Sequence, residues 1–197
     1  MREMIKMILV LTVLSLASGG LLAALRNKTS DKIEYNELSF VKGPAITTIM
    51  KGVSNNPLAD RFKIKDDKSE KSFFVGILNG KPNTVAFESF GKGFGGKLGV
   101  VVGVNMDDDK IVGVGVTTHS ETPGVGSRAK SDPTFVSQFK GQPLIETFKV
   151  KSDGGKVDAI SGATLTSRGV STALTDAGAL YKRLKPQVVE KLKGFVK

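Results

Sequence analysis

The sequence predicts an α+β domain, an antiparallel sheet with flanking helices, set behind a single N-terminal transmembrane helix. Three observations carry this reading. Met7 to Leu25 is a run of 19 residues without a charge. From Phe62 to Thr118 apolar and polar residues tend to alternate with period two, interrupted by Asn79-Gly80 and Asp107-Asp108-Asp109. After Ser131 the apolar spacing changes to that of helices.

The first element is the apolar run. At helical rise it is roughly 28 Å long, close to the hydrocarbon thickness of a bilayer. Arg2 and Lys6 precede it and Arg26 and Lys28 follow it, so basic residues do not choose its orientation. A cleavable signal peptide is the competing reading, with Ala17-Ser18-Gly19 as the small-residue exit. The run resumes at Leu21 to Leu25 beyond that exit, which favours a retained anchor. The expected organisation is a membrane anchor over residues 1–26, a juxtamembrane linker over 27–60 and a folded domain over 61–197. The linker is expected to hold a short helix before about Val53 and a turn at Ser54-Asn55-Asn56-Pro57.

The sheet follows. Phe73 to Leu78 reads as a strand, Asn79-Gly80 as a tight hairpin turn and Thr84 to Phe90 as the partner strand. Lys97 to Asn105 is a valine-rich strand, the three aspartates turn the chain, and Lys110 to Thr118 returns, giving a meander. Glycines at 76, 99, 103, 113 and 115 are frequent for strands. They suggest either a tightly curved sheet or a face that something approaches closely.

Helices close the domain. Ser131-Asp132-Pro133 starts one that is expected to run to Lys140, with Phe135 and Phe139 on one face and Gly141 as its stop. Phe148 to Val150 reads as a short strand. A second helix is expected from Thr166 to Leu184, with small or apolar residues at 170, 173, 174, 177, 180, 181 and 184. A last helix is expected from Pro186 to Val196.

Composition narrows the function. The net charge is +10, a balance that suits nucleic acid, anionic membrane surfaces or acidic partners. Nucleic acid is disfavoured: there are two Tyr, no Trp and no recognised binding motif. The C-terminal segment sets Lys182, Arg183, Lys185, Lys191, Lys193 and Lys197 against Glu190, as a solvated amphipathic helix or a contact for lipid head groups or an acidic neighbour. The absence of cysteine excludes disulfides, iron–sulfur ligation and thiolate metal sites. His119 is the only histidine and has no neighbours at metal-site spacing, so no metal is expected.

The chemistry concentrates in Asp158-Ala159-Ile160-Ser161-Gly162-Ala163-Thr164. Gly162 permits torsions closed to other residues, and Ala163 adds little beside the next hydroxyl. Thr164 falls near a helix start, where free N–H groups and the dipole favour a phosphate. An ordinary helix N-cap explains the same residue types. A threonine hydroxyl is a weak nucleophile without a base, and none is dedicated to it here. Two other segments stand out: Gly93-Phe94-Gly95-Gly96, and the loop His119-Ser120-Glu121-Thr122-Pro123-Gly124-Val125-Gly126.

These three segments, in this order, resemble the motifs of the FMN-binding domain family. Within that family the chain is most similar to G subunits of Rnf electron-transport complexes, and it is related to C subunits of the sodium-pumping NADH:quinone oxidoreductase. The resemblance covers about Gly93 to Ser167 and departs from the usual loop only in having Val125 where leucine is common. It implies FMN held on Thr164 by a phosphodiester bond and attached by a separate flavin transferase that recognises Asp158. It implies a flavin site built from Ser161, Gly162, Ala163, Leu165, Thr166, Glu121, Thr122, Gly124, Gly126, Gly95, Gly96 and His119. It further implies an electron carrier anchored in the inner membrane by one pass, its domain outside the cytoplasm, among the other membrane subunits of an ion-translocating ferredoxin:NAD oxidoreductase. A carrier needs no acid–base pair, and none is evident. A non-redox membrane-tethered scaffold and a stand-alone extracytoplasmic flavoprotein reductase are the alternative functions.

Overall fold

A computed structural model describes residues 1–66 and 69–195. The chain divides into two compact units, Met1–Ser39 and Phe40–Lys197. The first is dominated by helix α1, Arg2–Asn36. Its stretch Arg2–Ser30 is long and apolar enough to cross a membrane, with mean hydropathy 2.3 over its most apolar 18 residues. The apolar side chains of this stretch are exposed. The helix runs on through residues 27–36, where the polar composition suggests a linker, because no Gly or Pro interrupts it after Gly20.

The second unit is built on a five-stranded antiparallel sheet in the order β1-β2-β3-β4-β5. Its strands are β1 (Arg61–Asp66), β2 (Ser69–Leu78), β3 (Lys81–Lys92), β4 (Lys97–Asn105) and β5 (Ile111–Val116). The expected meander is present with one strand more, β1, which pairs with β2. Asn79 and Gly80 both have positive φ, 53° and 75°, as a two-residue hairpin turn with the twist of its strands requires.

The alternation separates two faces. Phe73, Val75, Val85, Phe87, Leu98, Val100, Val102 and Val104 point to one core, covered by helix α5 (Thr164–Leu192). Gly76, Gly99, Gly103, Gly113 and Gly115 all lie on the other face, as the cross-strand register dictates. Helix α2 (Gly43–Ile49) lies on part of it: a Cβ on Gly113 would stand 3.3 Å from the Ile49 side chain and one on Gly115 3.2 Å from Ala45. The glycine-rich strands are therefore a seat for a helix. Glu88 on this face accepts the Thr117 hydroxyl at 2.7 Å and pairs with Lys42 at 2.8 Å, holding the chain just before α2.

Three expectations, two of helices and one of a strand, are corrected. The helix placed at 131–140 is two short ones, α3 (Arg128–Ser131) and α4 (Pro133–Ser137). Asp132 separates them by capping α4, its carboxyl group accepting the Thr134 N–H at 3.0 Å. Phe148–Val150 forms no strand, only a single bridge from Val150 to Val157. Residues 166–184 and 186–195 belong to one continuous helix and its closing 3₁₀ turn, with Pro186 inside α5. Pro186 is exposed, while Leu180, Leu184, Val188 and Leu192 continue the buried stripe and hold the helix together past the missing donor. Val196, the expected end, and Lys197 lie outside the described residues.

Candidate flavin site

The three motif segments meet at the N-terminus of α5. Between them lies a cavity of about 400 Å³. Phe94 comes from the glycine turn between β3 and β4. Glu121, Thr122, Val125 and Gly126 come from the loop after β5, and residues 162–166 from the start of α5. The exposed Phe94, Val125 and Leu165 give its rim an apolar character.

Thr164 is the first residue of α5. The residue in the N-cap position is Ala163, which has no side-chain acceptor, so Thr164 is not the ordinary cap that its residue type allows. Among the described residues no side chain caps the helix, and a helix start of this kind suits an anion. Gly162 has φ +79°, which an L side chain rarely adopts, and this torsion turns the chain from the exposed loop into the helix. Ser167 fastens the turn: its hydroxyl accepts the Ile160 N–H and donates to the Ala163 carbonyl, each at 3.0 Å.

Thr166 is different from Thr164. It is buried, and its hydroxyl donates to Glu121 Oε2 at 2.6 Å. Glu121 Oε1 accepts the Gly95 N–H at 3.0 Å. Gly126 makes room for this junction, since a Cβ there would stand 2.5 Å from Glu121 Oε2 and 2.8 Å from the Thr166 hydroxyl. Glu121 thus ties the glycine turn and α5 to its own loop.

The expected residues divide in two. Gly162, Ala163, Thr164, Leu165, Thr166, Glu121, Thr122 and Gly126 share the cavity. Gly95 touches it through Glu121, and Gly96 follows with φ +121° in the same turn. His119 lies behind, its Nδ1 accepting the Glu121 N–H at 3.3 Å. The Gly124 N–H donates to Ser127 Oγ at 2.9 Å within the loop. Ser161 and Asp158 line a neighbouring groove of about 310 Å³ together with Arg128, Phe135 and Gln138. Asp158 pairs with Lys151 at 2.6 Å on the surface.

Side chains missing from the expected set also belong to the area, Val125 on the rim among them. Phe94 is 72% exposed, and an apolar ring held out between glycines was the available signal. Gln138 binds the main chain of Asp158, and nothing in its sequence context marks it. Nearby, Arg168 in the first turns of α5 holds Asp153 through two hydrogen bonds of 2.7 and 2.6 Å. The Arg168 hydrogen bonds, reinforced by its charge, lower the Asp153 pKa against a smaller desolvation effect.

Residues 93–179 match the model of the FMN-binding domain. The G subunit of the ion-translocating oxidoreductase complex of Vibrio atlanticus is 29% identical over 182 residues, covering 86% of each chain. Its counterpart from Shewanella oneidensis is 30% identical over 188 residues, covering 88% of this chain and 87% of that one. Among solved structures, the C subunit of the Na(+)-translocating NADH-quinone reductase of Parabacteroides distasonis is similar with TM-score 0.49 and 31% identity, over 62% of this chain and 63% of that one. The cavity, its uncapped helix start and the sequence matches agree: the chain belongs to the family of G subunits of Rnf-type ion-translocating oxidoreductase complexes.

Proposed function

We propose that this chain is a membrane electron-transfer subunit of an Rnf-type complex and carries FMN covalently on Thr164. The carrying observation is the contrast between the two threonines: Thr164 opens α5 at the cavity with an uncommitted hydroxyl among the described residues, whereas Thr166 is buried and bound to Glu121. The residues fit a flavin phosphate. An uncapped helix of 29 residues supplies N–H donors and the positive dipole end. Gly162 and Ala163 keep bulk away from the attachment atom. Phe94, Val125 and Leu165 offer apolar surface to a ring system.

When bound, FMN supplies reversible electron transfer at its ring; the protein supplies attachment, orientation and surroundings. Glu121 holds the glycine turn and α5 at a fixed separation, so the cavity walls keep their relation as the carrier changes charge. A Thr–O–P linkage requires an activated flavin, such as a flavin dinucleotide, and a base that the chain does not provide at Thr164. A separate flavin transferase fills that role, with Asp158 in its recognition segment. Residues 1–26 serve as the single-pass anchor in the inner membrane, with residues 61–197 outside the cytoplasm beside the other membrane subunits. A tether suits that location, where a lost cofactor is hard to replace.

The test is production of the full chain with a flavin transferase, followed by denaturing electrophoresis and fluorescence imaging. The proposal expects a fluorescent band from the wild type. A scaffold protein without flavin gives a dark band with confirmed export and an active transferase.

A further inference from the structure

Gln138 lies outside every motif of the flavin site, yet it holds the recognition segment in place. The Asp158 N–H donates to Gln138 Oε1 at 2.7 Å, and Gln138 Nε2 donates to the Asp158 carbonyl at 3.2 Å. A primary amide presents a donor and an acceptor side by side, so it engages one residue's main chain as a neighbouring strand would. Gln138 Nε2 also donates to the Phe135 carbonyl at 2.7 Å, which fixes the amide on the end of α4.

The first two residues of the segment, Asp158 and Ala159, have little other support. The bridge at Val157 ends just before the segment, and within it the buried Ile160 is held by Ser167, which accepts its N–H, and by the Ala163 N–H on its carbonyl. Asp158 and Ala159 are exposed. The Asp158 carboxyl group pairs with Lys151 at 2.6 Å, the two side chains being 71% and 62% exposed. Such exposed pairs are weak and readily exchanged. Two grooves, of about 500 and 310 Å³, both include Gln138 and Asp158 in their walls.

We propose that Gln138 is a positioning residue for flavin attachment: it presents the Asp158–Ser161 segment to the transferase, which takes Asp158 over from Lys151 with a cation of its own. The proposal rests on the covalent reading above. In the step served, Thr164 Oγ forms a bond to the FMN phosphorus of a flavin dinucleotide. The bond from that phosphorus to the bridging oxygen breaks, and the nucleoside monophosphate leaves with that oxygen and the bonding pair. The threonine proton passes to a base of the transferase, and nothing is oxidised or reduced.

The experiment uses the full chain in detergent with a flavin transferase and FAD, and follows covalent flavin fluorescence against protein concentration. Gln138→Leu is expected to lower kcat/KM about tenfold, the size of one or two lost hydrogen bonds, mainly by raising KM. Gln138→Glu keeps the shape and the acceptor but sets a carboxylate oxygen against the Phe135 and Asp158 carbonyls, and is expected to fall at least as far; it also serves if the leucine variant does not fold. Lys151→Met is expected to lower KM, because Asp158 no longer has to leave a partner. Wild-type kcat/KM in both Gln138 variants, or a loss confined to kcat, would overturn the proposal. An unmodified wild-type chain with an active transferase would overturn the covalent reading, and the proposal with it, whatever Gln138 does.

Discussion

The Thr166 hydroxyl donates to Glu121 Oε2 at 2.6 Å across 45 positions of sequence, and both residues are buried. The second oxygen of Glu121 holds the Gly95 N–H at 3.0 Å. One side chain therefore joins three segments that are far apart in the chain, and it commits the hydroxyl of Thr166 while that of Thr164 has no such partner among the described residues.

Thr166→Val removes the hydroxyl at nearly constant volume and leaves a buried Glu121 oxygen without its donor. The expected destabilisation is about 1–3 kcal/mol, measured by urea denaturation. Glu121→Gln should cost less when added to Thr166→Val than alone, since the bond is already lost. Strict additivity in that double-mutant cycle would contradict the junction.

Gly169 sits in α5 against the end of β3 and the start of β4. A Cβ there would stand 2.7 Å from the Lys92 carbonyl oxygen and 2.9 Å from a Leu98 methyl. Helix propensity alone favours alanine over glycine by about 1 kcal/mol. The obstacle is backbone and cannot rotate away, so overpacking wins and Gly169→Ala is expected to destabilise by about 1–3 kcal/mol. A thermal melt reads the sign directly: a raised Tm would mean that α5 is free to shift from β3.

Asp109 accepts Tyr181 at 2.6 Å and Lys185 at 2.6 and 2.7 Å, fixing the β4–β5 turn to α5. Burial works to raise its pKa, but the hydrogen bonds from Lys185 and Tyr181 and the Lys185 charge together outweigh it, so the pKa is lowered. A lowered carboxyl pKa adds stability above the unfolded value of about 3.9, lost as pH falls through the folded value. Tyr181 is shifted upward by burial and then by Asp109, so its contribution is present below about pH 10 and lost as pH rises beyond it. Asp109→Asn, which tolerates the left-handed backbone at φ 57°, should be less stable than wild type at neutral pH. The difference should shrink as pH falls below about 4. Urea midpoints of both proteins across pH 2–7 check this; a gap constant down to pH 2 would contradict it.

Legibility in the sequence followed how local each signal is. Asn79-Gly80 and the valines of β4 are local, and the hairpin and strand are where the pattern puts them. The strand glycines had two readings, and the register chose: all five share one face, with α2 lying against part of it. β1 was not distinguished as a strand, because only Phe62 and Ile64 alternate among charged residues. Pro186 suggested a break that the buried stripe Leu184, Val188, Leu192 overrode. In the site, the motif segments were legible because glycine, hydroxyl and acidic residues stand at close spacing. Gln138 was not, because a side chain that binds distant main chain leaves no periodic trace. The structural role of Glu121 required the fold, since its partners Gly95 and Thr166 lie on other elements.

The most direct measurement is intact mass with peptide mapping of the wild type, Thr164→Val and Thr166→Val, each produced with a flavin transferase and exported. The account predicts a gain of one FMN less one water on the peptide containing Thr164 in the wild type and in Thr166→Val, and no gain in Thr164→Val. Modification that survives Thr164→Val, or an unmodified wild type beside an active transferase, would contradict it.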